Sequence, residues 1–169
     1  MKMRFVLVCG LILSVVTSKA QTAFEEISAD PNKSASVYYA YPEISEQYTL
    51  PPEGYTPFYI SHYGRHGSRY LISDSEYQTV MEILDKGKSV RSRLEVVWRD
   101  AEGLGGQLTP LGYRQHRSIS ERMFYNFPDV FKGKRKISAC STVVIRCALS
   151  MATFCETLKG LNPELQFTY

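Results

Sequence analysis

The sequence predicts an α/β fold. Three observations predict it. A short apolar and aromatic run at residues 57–63 is followed by a loop and a capped helix. A second short run at residues 136–141 is followed by an amphipathic helix. The composition is globular, 44% hydrophobic and 22% charged over 169 residues. Such a mixture is too apolar for a disordered tail and too charged for a polytopic membrane protein.

Residues 1–20 read as a secretory signal. Lys2 and Arg4 make a positive start, residues 5–16 are almost continuously apolar, and Ser18-Lys19-Ala20 leads to a cut before Gln21. The apolar run is too short to cross roughly 30 Å of hydrocarbon. The chain is therefore expected to be exported, periplasmic or secreted, with no stable membrane insertion after cleavage. Lys2, Arg4 and Lys19 also account for the formal net charge of +3, since without them 17 basic residues face 17 acidic ones. A nucleic-acid partner is excluded on this ground, because counterion release needs a larger basic excess in the folded part.

Residues 21–56 are polar, Tyr-rich and interrupted by Pro, and predict an irregular leader over a core built later. Asn32-Lys33-Ser34 matches a glycosylation acceptor, relevant only in a eukaryotic secretory route. Tyr38-Tyr39-Ala40-Tyr41 is expected to pack over the sheet edge. Residues 57–63 predict a buried strand, and 64–72 a loop. Ser73 and Glu76 have capping-box spacing at the start of a helix whose apolar face is Tyr77, Val80, Met81 and Leu84 and whose stop is Gly87. Residues 89–106, charged and ending in glycines, predict a mobile connection with a short helix at 94–98. Thr109-Pro110 is an N-cap followed by Pro at the first helical position, opening a helix to about Tyr125. A loop at 126–133 leads to a second strand at 136–141. The helix after it, 143–159, has the stripe Ala148, Met151, Ala152, Cys155 and Leu158 and ends at Gly160. Cys140, Cys147 and Cys155 read as small core hydrophobes, with a disulfide to a partner outside the segment as the competing reading. No metal-ligand spacing is visible.

The chemistry concentrates at residues 63–70, Tyr-Gly-Arg-His-Gly-Ser-Arg-Tyr. Arg65 and Arg69 flank His66 at the exit of the first strand, where open α/β sheets bind ligands. Arginine forks suit phosphate oxygens, and a neutral histidine nitrogen held among them can attack phosphorus in line. Arg146 follows the second strand, in the first turn of a helix, and can close on the same phosphate. A solvated turn and a surface helix residue are the plain alternatives. The basic run at 132–136 reads as a solvated loop, or as an attractor for a polyanionic substrate. His62 and His116 are assigned no chemical role.

Arg65-His66-Gly67-Ser68-Arg69 resembles the R-H-G-x-R motif of the histidine phosphatase superfamily, in its acid phosphatase and phytase branch. Within that branch the chain looks most like the multiple inositol polyphosphate phosphatases. Leu108-Thr109-Pro110-Leu111-Gly112 with Gln115 resembles the L-T-x-x-G-x-x-Q helix start. Ser141-Thr142 with Arg146 resembles the S-T-x-x-x-R segment, and Gly160-Leu161 a closing G-L. The similarity spans residues 57–161. Leu71 stands where the longer motif has Pro.

The resemblance implies a phosphoglycerate-mutase-like three-layer fold with a mixed, mostly parallel central sheet, of which residues 57–169 would be the N-terminal part. It implies His66 as the nucleophile, Arg65, Arg69 and Arg146 as phosphate ligands, inositol polyphosphates as substrates, and no metal or cofactor. The family's second histidine and proton donor, in an H-D or H-A-E tripeptide, have no match after Arg146. The isolated chain is accordingly expected to fold poorly and lack normal turnover. A phosphate-binding or inactive remnant, a general acid phosphatase and a mutase-like phosphotransferase are the rival expectations.

Overall fold

The computed structural model describes residues 23–42, 44, 48–84 and 88–169. The signal at 1–20 and the stop at Gly87 lie outside the described residues. The described chain divides into two compact units, one ending at Tyr39 and the other beginning at Ala40.

The first unit corrects the irregular leader. It holds α1 (Ala23–Ala29) and a 3-10 helix (Pro31–Tyr38). Glu25 and Glu26 sit in the first turn of α1, where the helix dipole favours acids. The Asp30 carboxylate accepts from the Asn32 amide at 3.1 Å, and Pro31 follows in the first turn.

The second unit contains α2 (Asp74–Ile83), α3 (Lys88–Ala101), α4 (Pro110–Asn126), α5 (Pro128–Phe131), β1 (Lys136–Ser138), α6 (Ile145–Leu161) and β2 (Gln166–Thr168). β1 and β2 pair in parallel, Lys136 opposite Gln166 and Ser138 opposite Thr168, with α6 as the crossover. Helices with a parallel pair make this a mixed α/β unit. Its core is Phe131, Leu158 and Leu165, surrounded by Ile60, Met123, Phe124, Phe127, Ile137, Phe154 and Phe167. Asn162 fastens the turn before β1 by donating to the carbonyls of Phe131 and Gly133.

Several expectations are corrected. Residues 57–63 form no strand, because strand structure needs a ladder partner and none of the described residues pairs with them. Ile60 reaches the core, but Phe58 and Tyr63 are exposed. The connection at 89–106 is largely helical. Trp98 packs on Tyr77 of α2 at 5.3 Å between ring centroids, and Ala101 is fully buried, so one narrow apolar face anchors a helix that is otherwise charged. The capping box does not form. Glu76 accepts from the Ile72 amide, whereas the Ser73 hydroxyl pairs with Ser75. The loop at 126–133 contains α5, and the second strand stops at Ser138.

The helix of 143–159 starts at Ile145 and runs through Gly160, which lies inside it. Its buried face is Ser150, Thr153, Cys155 and Leu158, packed in part on α4. Ala148, Met151 and Ala152 instead line an open groove with Phe167 and Tyr169. Of the three described cysteines, only Cys155 is a core residue. Cys147 is half-buried, and Cys140 is exposed just past β1, where no packing demands an apolar side chain. Among the described residues no helix is long and apolar enough to cross a membrane.

Candidate functional site

Residues 64–69 are held from three sides by main-chain and side-chain bonds. The outgoing limb pairs with the approach to α4: Thr109 N donates to Ser68 O at 2.9 Å, Tyr70 N to Gln107 O at 3.0 Å, and Gly106 N to Leu71 O at 2.7 Å. Gly106 adopts a positive φ of 70° to make the turn that allows this. Neither the pairing nor its role was visible in the glycine-rich spacing.

The start of α4 explains its own sequence. Thr109 Oγ1 donates to Ser68 O at 2.9 Å and accepts from Gly112 N at 3.1 Å, so it serves loop and helix together. Gly112 is where the two backbones touch: a Cβ there would lie 2.3 Å from Ser68 O, and one on Gly67 would lie 2.5 Å from Gly112 O. One turn on, Gln115 Oε1 accepts from Ser68 N at 2.8 Å. The third side is α6. Ser150 Oγ accepts from Gly67 N at 3.1 Å and donates to Arg146 O at 2.8 Å, joining the histidine loop to the helix turn that carries Arg146.

His66 is half-buried at the centre. Its Nδ1 lies 2.7 Å from Gly67 O. A carbonyl only accepts, so Nδ1 carries the proton and Nε2 keeps a lone pair. Its pKa is pushed below the ordinary 6.5, first by desolvation and then by the charges of Arg146, Arg69 and Arg65, against the opposing Gly67 hydrogen bond. The four residues picked out in the sequence thus meet electrostatically. Arg69 Nη1 donates to Tyr70 O at 2.8 Å, and Arg146 Nη1 to Gly106 O at 3.4 Å. Arg146 Nε is buried with no partner among the described residues, a donor that an anion can satisfy.

Two residues given no role sit against this site. His116 is 5% exposed beneath the loop, and burial lowers its pKa first, followed by the charge of His62. His62 stacks on Phe154 with centroids 5.1 Å apart, and desolvation lowers it too. Tyr41 was placed at a sheet edge, but its hydroxyl donates to Arg65 O at 2.6 Å. The signal that could have found it was the tyrosine cluster itself, which has more phenols than packing requires.

All three histidines are harder to protonate in the fold than in the unfolded chain. As pH falls through 6.5 the unfolded state gains protons that the folded state resists, so stability is full above 6.5 and declines below it. Urea midpoints measured between pH 7.5 and 5 should fall with pH, and replacing His116 by Gln should flatten the slope.

What the arrangement can do chemically is bind a dianion among three guanidinium groups and present a neutral Nε2 to it. Among the described residues no group of three or more His, Cys, Asp and Glu side chains is placed to hold a metal ion. No protein-family model matches the sequence, and no curated protein matches it either.

Proposed function

We propose that the chain is an exported phosphomonoesterase of the histidine phosphatase type, hydrolysing inositol polyphosphates through a phosphohistidine at His66, with its β-α-β unit part of a phosphoglycerate-mutase-like three-layer fold. The observation that carries this reading is the His66 ring, locked through Nδ1 to Gly67 O with Nε2 left as a nucleophile under the influence of three arginines.

The Nε2 lone pair forms a bond to phosphorus as the bond to the substrate oxygen breaks. That oxygen takes a proton from an acid and leaves. Water then attacks the phosphohistidine, loses a proton, and releases inorganic phosphate as the electron pair returns to Nε2. Arg65, Arg69 and Arg146 offset the charge on the non-bridging oxygens throughout. Inositol polyphosphates as the substrate class rest on the resemblance and on the basic run of Lys132, Lys134, Arg135 and Lys136.

A phosphate-binding protein without turnover is the second reading. It is favoured by the charges acting on His66, which are three cations, whereas the leaving oxygen needs a proton donor as well. Incubation with inositol hexakisphosphate and an alkaline quench, which preserves phosphohistidine, separates the two. The first reading expects phosphate on the peptide bearing His66 and none in His66→Ala. Tight phosphate binding with no trapped peptide at any time point would leave the second.

A further inference from the structure

We propose that Tyr41 is a positioning residue for Arg65: its hydroxyl grips the main-chain carbonyl, its ring seats the guanidinium, and His116 braces that ring. The proposal rests on the phosphate-site reading above and deepens it.

The Tyr41 hydroxyl donates to Arg65 O at 2.6 Å across 24 residues of chain. The Tyr41 ring is itself braced by His116, a buried residue of α4. The two rings touch, edge to face, with centroids 5.9 Å apart and an interplanar angle of 75°. Arg65 Cζ in turn lies 5.5 Å from the centre of the Tyr41 ring, within range of a cation–π attraction. Tyr41 therefore holds both ends of one residue, its main chain and its charged head.

The location gives this its consequence. The Arg65 carbonyl belongs to the peptide unit that includes the His66 amide, and a peptide unit is planar. Fixing that oxygen fixes the plane from which the His66 side chain departs. Arg65 is exposed, and an exposed arginine loses considerable rotamer freedom when it binds an anion. A ring beneath the guanidinium removes part of that freedom beforehand, which improves affinity without any new contact to the ligand. Gly64 belongs to the same arrangement: a Cβ there would come within 2.9 Å of His62 Nε2 and 3.7 Å of the Tyr41 hydroxyl.

The test uses the whole chain, titrated with inorganic phosphate by calorimetry. Tyr41→Phe keeps the ring and loses the hydroxyl, and should weaken binding about 2- to 10-fold. Tyr41→Leu loses both and should cost about 2- to 5-fold more. The decisive comparison repeats Tyr41→Leu in an Arg65→Ala background. Without the guanidinium only the main-chain bond is left to lose, so a tyrosine that seats Arg65 costs less there, whereas a purely structural tyrosine costs the same in both. Equal losses in the two backgrounds, or no loss in either, would overturn the proposal.

If the wild-type chain binds no phosphate, the phosphate-site reading fails. The positioning claim is then decided without ligand, by the Arg65 Nε–H resonance. That signal should be shifted upfield by the Tyr41 ring in the wild type and lose the shift in Tyr41→Leu. An unchanged resonance overturns the claim.

Discussion

Gly112→Ala should destabilise the protein by about 3 kcal/mol, the upper end of what overpacking ordinarily costs. The added methyl would lie 2.3 Å from Ser68 O and 2.8 Å from Leu108 Cδ1. Relief requires one backbone to retreat, and both are pinned. Ser68 O is held by Thr109 N and Thr109 Oγ1, and Ser68 N by Gln115. Gly67→Ala should behave alike, since its methyl would meet the main chain of Gly112 at 2.5 Å. Gly160→Ala is the contrasting case. It lies inside α6 with nothing within 4 Å of the added carbon, and should stabilise by about 0.5–1 kcal/mol. Urea unfolding reads all three as shifts of midpoint at constant slope. A Gly112→Ala protein as stable as the wild type would mean that loop and helix do not approach as described.

Arg146→Ala should reduce phosphohistidine formation at His66 by about 10²- to 10³-fold, the cost of removing one aimed donor from a developing anion. Arg146 is the first of the charges acting on His66, and its buried Nε has no hydrogen-bond partner among the described residues. Arg146→Lys should recover little, because an ammonium group restores the charge but not the planar fork. Among the described residues its side chain is tied only by a 3.4 Å bond to Gly106 O, so thermal stability should change little. Single-turnover quench measurements give the rate, and a drop below threefold would remove Arg146 from the site.

The parts of the fold legible in the sequence were those whose signals are local. Thr109-Pro110 placed the start of α4, and the Thr109 side chain does cap it. The clustering of Arg65, His66, Arg69 and Arg146 was legible because the chemistry needs those residue types together. What was hidden depended on partners far along the chain. The α6 stripe placed Cys155 and Leu158 correctly but missed the rest of the buried face, which is polar by composition. Ser150, Thr153 and Thr157 each turn a hydroxyl back to the carbonyl four residues earlier and so pack as small residues. α3 was hidden by its charge, since among its residues of described burial only Leu94, Trp98 and Ala101 face inward. The apolar run at 57–63 has strand composition, but composition cannot supply a neighbour to pair with.

The bonds that shape the histidine loop join residues far apart in the chain: Ser68 to Thr109 across 41 positions, Ser68 to Gln115 across 47, and Gly67 to Ser150 across 83. No local segment can rehearse this geometry, so closing these loops comes late, after α4 and α6 have docked. The geometry around His66 is therefore a readout of completed folding. An anion that binds there binds the finished state alone, and by mass action draws the folding equilibrium toward it.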